Sequence, residues 1–326
     1  MVERIEAVRG QDRAVSLLSR YLESGRVPPG LLFFGEEGIG KEKAAGAFAA
    51  ALLCRDRTPG GACGTCVECR LLAAGSHPNL LRVAPDGLFI RIDEIRALQE
   101  ELALKAFSDR PRAVLVVPAD RMTLQAANAL LKTLEEPPPG THLLLVAHRL
   151  SQVPPTIVSR CQKVPFSPLP AGLVEEILLA VPEAREVHGP DAVRAAAAGA
   201  GGSPGRVLAL LSEPTADRDA WIRRLGRLDA ADAIAAAEAF KGSGEQGRRL
   251  AVPLALSRDV ALLCSDPKAD IINKDRRETL SALALRRAPA GWTRAFRELL
   301  SMSRASPQAQ KRLMVEAFLF GLHGKD

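Results

Sequence analysis

A glycine-rich segment that reads GEEGIGKE could bind phosphate. Gly35, Gly38, Gly40 and Lys41 lie in the pattern G-x-x-x-x-G-K, in which backbone N–H groups hold phosphate and the lysine adds a positive charge. The next position of the pattern is Ser or Thr, whose hydroxyl binds Mg²⁺, but this chain has Glu42 there. The segment therefore predicts the fold of a nucleotide-binding protein and argues against hydrolysis.

In an ATPase, the second core strand normally ends in an acidic residue that binds Mg²⁺, and the corresponding strand of this chain lacks such a residue. The candidate strand Ala113–Val117 runs into proline, so Val117 and Pro118 stand where an acidic pair belongs. Asp120 lies beyond the strand end, either as a displaced Mg²⁺ ligand or, as we favour, as a solvated or helix-capping carboxylate. Together with Glu42, this second loss predicts that the chain alone does not hydrolyse ATP.

Nucleotide binding without hydrolysis is a separate question. Because the loop is intact from Gly35 to Lys41, one interpretation is weak binding of ATP or ADP. In the other interpretation, the loop persists only as part of the fold. Glu42 lies in the first turn of the following helix, where a carboxylate is favourable to the helix dipole. We slightly favour the second interpretation, in which no nucleotide is functional.

Four cysteines in one short segment have the spacing of a metal site. Cys54, Cys63, Cys66 and Cys69 follow C-x₈-C-x₂-C-x₂-C, and four thiolates suit a structural, tetrahedral Zn²⁺. The alternatives are a disulfide pair, disfavoured because the sequence shows no secretion signal, and a redox pair, which needs no further thiols. We predict a closed zinc site and expect the two remaining cysteines to be ordinary buried thiols.

The elements that must position these groups alternate between helix and strand up to about residue 165. Apolar periodicity predicts each of these elements, and a strand, a loop and a helix follow one another where the phosphate-binding pattern requires them. The predicted helices are Ala14–Leu22, Lys43–Leu53 and Thr123–Leu134, and the predicted strands are Leu31–Phe34, Ala113–Val117 and Leu143–Val146. The alternation predicts an α/β domain whose parallel sheet has helices on both faces.

The second half of the sequence has only helical patterns. Prolines at 165, 168 and 170 indicate a linker, and a second break follows at Ser212. We therefore predict three domains: 1–166, which includes the zinc module 54–69, then 167–212, then 213–326. The clearer helical segments are Leu173–Leu179, Ala192–Ala198, Ala230–Phe240, Arg294–Met302 and Lys311–Leu322.

Composition excludes several classes of function. Hydrophobic residues make up 47% and charged residues 25% of the chain, as in globular proteins, and no apolar run has the ~18 residues of a membrane span. We expect a cytoplasmic protein without membrane contact. The net charge of +6 permits nucleic-acid contact, but the 4% aromatic content argues against a base-stacking surface.

Several motifs outside the loop carry a family resemblance. Residues 121–123, 126–138 and 155–162 resemble the bacterial clamp-loader ATPase family, which serves DNA polymerase III. Gly10 and Gln11, the segments Ser76–Asn79 and Ile92–Arg96, and the spacing of the four cysteines match the family as well. The resemblance covers residues 1 to about 210 and fades to a general expectation of a helical collar beyond that.

The resemblance implies a RecA-like AAA+ domain with an inserted zinc module, a small helical lid and a C-terminal helical collar. It also implies a hetero-pentamer with the motor subunits (tau/gamma) and the delta subunit, which acts on the beta sliding clamp and primed DNA. The motor type would keep Ser or Thr after Lys41 and an Asp-Glu pair at Val117 and Pro118. The chain is therefore more similar to a non-motor subunit of the family.

Arg160, in the motif Ser159-Arg160-Cys161, is the remaining candidate for chemistry. By its type alone it is either a surface charge or a guanidinium that stabilises a transferring phosphoryl group. The resemblance implies the second role, as an arginine finger acting in trans on ATP bound to a motor subunit. His148 replaces a polar residue of the family's first sensor, and Arg206 lies near its second sensor or is a helix-start charge.

Three functions follow from these features. The first, which we favour, is a non-catalytic stator of the clamp loader that assists ATP-dependent clamp loading in replication. The second is an autonomous ATPase with an unusual magnesium site. The third is a nucleic-acid-binding module in which the four-cysteine segment is a zinc ribbon.

Overall fold

A computed structural model describes residues 4–104, 110–182, 190, 193–194, 196–197, 200–212, 215–226, 250–304, 314–315 and 317–319. The chain divides into two compact units, Met1–Leu169 and Pro170–Asp326. The further division of the second unit into a lid and a collar at residue 212 stays a prediction.

The first unit is built on a five-stranded sheet in which every strand pair is parallel. Its strands are β1 (Gly30–Phe34), β2 (Leu80–Val83), β3 (Arg112–Val116), β4 (Thr141–Ala147) and β5 (Gln162–Pro165). Their spatial order is β2-β3-β4-β1-β5, so β1, β3 and β4 lie inside the sheet and β2 and β5 form its edges. The predicted α/β architecture with a parallel sheet is confirmed.

Helices cover both faces of this sheet, because successive side chains of a strand point to opposite faces. In β1, Leu31 and Phe33 belong to one apolar core, whereas Leu32 belongs to the other. The helices of this unit are α1 (Asp12–Ser24), α2 (Lys41–Leu53), α3 (Val67–Ala73), α4 (Ile92–Ala103), α5 (Leu124–Glu135) and α6 (Pro155–Val158). The first core includes side chains of α1 and α2, and the second includes side chains of α4, α5 and α6.

Helix α5 has sequence signals at both ends. The Thr123 side chain accepts a hydrogen bond from the Ala126 backbone N–H at 3.3 Å, which caps the first turn. The helix ends at Glu135, shortly before Pro137, because a residue that precedes proline is disfavoured in helical conformation. Glu135 is thereby held at the end of a rigid element.

The described residues of the second unit contain helices and no strand. They form α7 (Ala171–Leu179), α8 (Pro204–Ser212), α9 (Thr215–Gly226), α10 (Ala251–Ser265), α11 (Arg277–Ala284) and α12 (Pro289–Arg304). Trp221, Leu256, Trp292 and Leu299 are buried in a core that α9, α10, α11 and α12 share.

Three predicted helices of the second unit fall partly or wholly on undescribed residues. Ala230–Phe240 lies outside the described residues, and Ala192–Ala198 and Lys311–Leu322 are described only in part. Among the helices that the structure does describe, none is both long and apolar enough to cross a membrane.

Candidate functional site

The glycine-rich loop connects the end of β1 to the start of α2, as its sequence pattern requires. Gly35, Gly38 and Gly40 have φ angles of 148°, 76° and 94°, which side-chain-bearing residues rarely adopt. A Cβ atom on Gly35 would also collide with the backbone carbonyl oxygen of Phe166. The backbone of the loop therefore requires glycine for folding alone, whether or not phosphate binds.

Lys41 is the first residue of α2 and is almost fully buried, with 3% of its surface exposed. Its Nζ donates a hydrogen bond to the carbonyl oxygen of Glu36 within the same loop. Gln11 fixes the surrounding chain, because its side chain donates to the Ser167 carbonyl at 2.7 Å and accepts from the Ser167 N–H at 3.1 Å. The loop is thus held by contacts within the protein.

Glu42 forms an ion pair with Arg82 of β2, with 2.5 Å between Oε1 and Nη2. Both side chains are about half exposed. The carboxylate that replaces the cation-binding hydroxyl is therefore already neutralised by an arginine of the same chain. Sequence reasoning missed Arg82, because β2 was not predicted and no motif marks this residue.

Asp120 accepts hydrogen bonds from the backbone N–H groups of His148 at 3.0 Å and Arg149 at 3.3 Å. Both oxygens of this carboxylate therefore hold the chain that follows β4, as a capping carboxylate does. Burial lowers the pKa of His148, and the nearby Lys41 charge lowers it further. A neutral imidazole is expected beside the loop at pH 7.

Arg160 lies near the opposite end of β1 from the loop. Its carbonyl oxygen would be 3.3 Å from a Cβ placed on Gly30, the first residue of β1, whereas the loop follows Phe34 at the other end. Four strand intervals of about 3.3 Å separate these ends by roughly 13 Å. The structure therefore brings the loop residues together but does not bring Arg160 to them.

The Arg160 guanidinium contacts two parts of its own chain. Nε donates to Glu135 Oε1 at 2.5 Å, and Nη2 contacts the same oxygen. Nη1 donates to the Thr156 carbonyl at 3.1 Å and lies 3.4 Å from Ser159 Oγ. The Ser159 hydroxyl in turn donates to the Thr156 carbonyl at 3.0 Å. Sequence reasoning quoted Glu135 within a motif but gave it no role.

The four predicted metal ligands converge, and their sulfur atoms lie within 4.8 Å of one another. The Sγ atoms are 3.7 Å apart for Cys54 and Cys69, and 3.9 Å apart for Cys54 and Cys66 and for Cys63 and Cys69. A tetrahedron with Zn–S bonds of about 2.3 Å has S···S edges of about 3.8 Å, so these residues fit a tetrahedral metal ion. All six cysteines of the chain are free thiols.

Backbone N–H groups around the sulfur atoms favour thiolate formation at one ligand. The N–H groups of Thr65 and Cys66 donate to Cys63 Sγ at 3.4 and 3.3 Å and lower the pKa of Cys63 to about 6. Burial instead raises the pKa of Cys69. Outside the cluster, Cys161 is buried as predicted, whereas Cys264 is only partly buried. Burial raises the pKa of Cys161 to about 12 and also raises that of Cys264.

Glu68 lies between two of the cysteines and joins the cluster to the sheet. Its Oε1 accepts from Arg55 Nε at 2.9 Å, and its Oε2 lies 3.0 Å from Nε2 of the buried His77. Burial alone would raise the pKa of Glu68, but Arg55 and His77 outweigh it and hold the pKa below its ordinary value. His77 precedes β2, so the four-cysteine segment is anchored to the core through a buried carboxylate.

Residues 10–170 match the family model described as "DNA polymerase III, delta subunit". The chain is 39% identical over 171 residues to DNA polymerase III subunit delta' of Bacillus subtilis, covering 52% of this chain and 51% of the relative. It is 43% identical over 156 residues to subunit delta' of Pseudomonas aeruginosa, covering 47% of each.

A longer match is found to DNA polymerase III subunit gamma/tau of Mycobacterium tuberculosis. That match is 31% identical over 287 residues and covers 80% of this chain and 50% of the relative. The chain thus spans about half or less of the length of the curated relatives it matches first.

Proposed function

We propose that the chain, whose residues 10–170 match the family model described as "DNA polymerase III, delta subunit", is a delta-prime-type subunit of the bacterial sliding-clamp loader. In this proposal it is a non-catalytic stator in a hetero-pentamer with tau/gamma motor subunits and a delta subunit. The complex loads the beta clamp onto primed DNA, and the energy comes from ATP bound to the motor subunits.

The placement of Arg160 carries this proposal. The backbone of Arg160 and the chain's own loop lie at opposite ends of β1, which is roughly 13 Å long. The Arg160 guanidinium is held by Glu135 and the Thr156 carbonyl and not by the loop, so it is not placed at hydrogen-bond distance from a nucleotide bound there. If Arg160 acts on a phosphoryl group, that group belongs to another subunit.

Within the neighbour's site, Arg160 would stabilise the negative charge that develops on the transferring phosphoryl group. A planar guanidinium suits this task, since it offers paired N–H donors and stays charged at any physiological pH. Ser159 would help to position it, because its hydroxyl lies 3.4 Å from Nη1 and is itself anchored on the Thr156 carbonyl.

The chain's own loop supports the non-catalytic part of the proposal. Glu42 is paired with Arg82 at the position of the magnesium-binding hydroxyl, and Val117 and Pro118 follow β3 where acidic ligands belong. We propose that Gly35, Gly38, Gly40 and Lys41 act as a fold element and that ATP or ADP has no functional role there. Calorimetric titration with ATP that gives a sub-micromolar affinity would contradict this and indicate a functional nucleotide.

We further propose that Cys54, Cys63, Cys66 and Cys69 hold a structural Zn²⁺. Four protein thiolates complete a tetrahedral site and leave no position for water or substrate. Zinc would therefore contribute stability to this segment and no chemistry. The alternative of a nucleic-acid zinc ribbon predicts that cysteine-to-serine variants lose DNA affinity while they remain folded.

The test is the ATPase activity of the complex reconstituted from this chain and the tau/gamma and delta subunits of its own organism. Arginine fingers contribute on the order of 10³-fold or more at one site, so Arg160→Ala should abolish that site's share of DNA-stimulated turnover. The exposed Arg26, substituted by alanine, is the matched control.

Two outcomes would overturn the proposal. Unchanged turnover with Arg160→Ala in a complex of normal composition would exclude the arginine-finger role. Robust turnover by this chain alone with ATP and Mg²⁺, abolished by Lys41→Ala, would favour the autonomous ATPase instead.

A further inference from the structure

The edge of the Arg160 guanidinium that suits phosphate is occupied by a carboxylate. Nε and Nη2 both contact Glu135 Oε1, while Nη1 faces the Thr156 carbonyl and the Ser159 hydroxyl. Parallel N–H groups of a guanidinium form the bidentate contact with phosphate oxygens. A phosphate that approaches Arg160 must therefore compete with Glu135 for the same donors.

We propose that Glu135 is a positioning residue that holds the Arg160 guanidinium on its own chain and yields it to the nucleotide of the neighbouring subunit. This inference rests on the proposed arginine-finger function. It adds a residue that controls when the arginine is available.

Two features distinguish Glu135 from an ordinary surface partner. It is the last residue of α5, so its backbone is fixed by the helix on one side and by the approach to Pro137 on the other. The contacts to Thr156 and Ser159 arise within the residues just before Arg160, whereas Glu135 reaches it from a separate helix. Glu135 thus anchors the guanidinium to a helix separate from the turn that carries Arg160.

The negative charge of Glu135 indicates that this residue restrains Arg160 and does not support its contact with phosphate. A carboxylate in contact with the guanidinium cancels the charge that should attract a polyphosphate, and it repels the polyphosphate itself. Both side chains are partly exposed, 38% for Arg160 and 48% for Glu135, so solvent screens the pair. Exposed pairs of this kind shift equilibria by a factor of about two to five, which sets the size of the expected effect.

The experiment compares Glu135→Gln with Glu136→Gln in the reconstituted complex. Glutamine keeps the size and an acceptor oxygen of Glu135 but removes its charge. Glu136 is the adjacent exposed carboxylate, and no ion pair with Arg160 is observed for it. We expect Glu135→Gln to raise kcat/KM for ATP about two- to fivefold and Glu136→Gln to leave it unchanged.

A double variant tests whether the effect of Glu135 on kcat/KM depends on Arg160. If Glu135 acts through Arg160, Glu135→Gln should have no effect on kcat/KM in an Arg160→Ala background. A merely structural role would persist in that background. The gain should also shrink as ionic strength rises, because salt screens the pair in the unsubstituted chain.

Other results would overturn the inference. A lower kcat/KM for Glu135→Gln would mean that Glu135 supports Arg160 and does not restrain it, and equality with Glu136→Gln would mean that it has no role. In either case a loss of turnover with Arg160→Ala would leave the proposed function intact. If Arg160→Ala itself changes nothing, the proposed function fails and this inference fails with it.

Discussion

Glu68→Gln should destabilise the first unit much more than Glu42→Gln, although each substitution removes one carboxylate from a pair with an arginine. The difference is burial. The Glu68 side chain is 7% exposed and its partner His77 is 1% exposed, whereas Glu42 and Arg82 are 51% and 53% exposed. Water can replace the lost partner of Arg82, but no water reaches His77.

The two costs can be estimated from these environments. Leaving the buried His77 without its carboxylate partner costs about 1–3 kcal/mol, and the lost contact with Arg55, which is 56% exposed, adds little. Breaking an exposed pair costs about 0–1 kcal/mol. With a cost of about 2 kcal/mol and a urea m value of about 2 kcal/mol/M, Glu68→Gln should lower the unfolding midpoint by about 1 M.

The assay must report on the first unit. Both tryptophans, Trp221 and Trp292, lie in the second unit, so their fluorescence would follow the wrong transition. Amide hydrogen exchange in peptides that cover α2 and β2 measures the relevant opening free energy directly. Equal protection in Glu68→Gln and Glu42→Gln, within about 0.5 kcal/mol, would refute the argument that burial sets the cost.

Three further predictions concern the metal, the loop and the second unit. We expect the unsubstituted chain to release one equivalent of zinc per chain when its thiols are modified. Cys69→Ser should release none, whereas Cys264→Ser should release as much as the unsubstituted chain. Gly35→Ala should lower the free energy of urea unfolding by about 2 kcal/mol or more, because Gly35 has a positive φ angle and an added Cβ would collide with the Phe166 carbonyl oxygen. Gly46→Ala is the control, because a Cβ at this position of α2 meets open space, and it should raise that free energy by about 0.5–1 kcal/mol. Burial raises the folded-state pKa of Asp259 above its unfolded value, so its contribution to stability is full below the unfolded pKa and is lost as pH rises through the folded pKa. Tryptophan-detected unfolding should therefore show a smaller gain on acidification for Asp259→Asn than for the parent chain.

The sequence was sufficient for the centre of the sheet but not for its edges. β1, β3 and β4 are continuous apolar runs because both of their faces are covered by helices. β2 and β5 are edge strands with exposed polar residues, among them Arg82 and Lys163, so their hydrophobic signal is short and interrupted. Neither was predicted, and with β2 the partner of Glu42 was missed.

The same distinction applies to the candidate site. The four cysteines and the glycine-rich loop are recognisable because all their members lie close together in sequence. The pairs Glu42–Arg82 and Glu135–Arg160 join residues that lie far apart in sequence. Such pairs depend on sheet order and helix ends, which no local spacing encodes.

The persistence of a phosphate loop in a chain proposed not to hydrolyse ATP has a physical explanation in its contacts. Gly35 is required because any side chain would meet the carbonyl of Phe166, and Lys41 is buried with its ammonium group bonded to the Glu36 carbonyl. An unpaired ammonium buried at this depth would be costly, so this contact lets the loop fold without a phosphate. The requirements of folding alone can therefore maintain the features that define the motif. The Glu42–Arg82 pair can occupy the position of the magnesium-binding hydroxyl without loss of the fold.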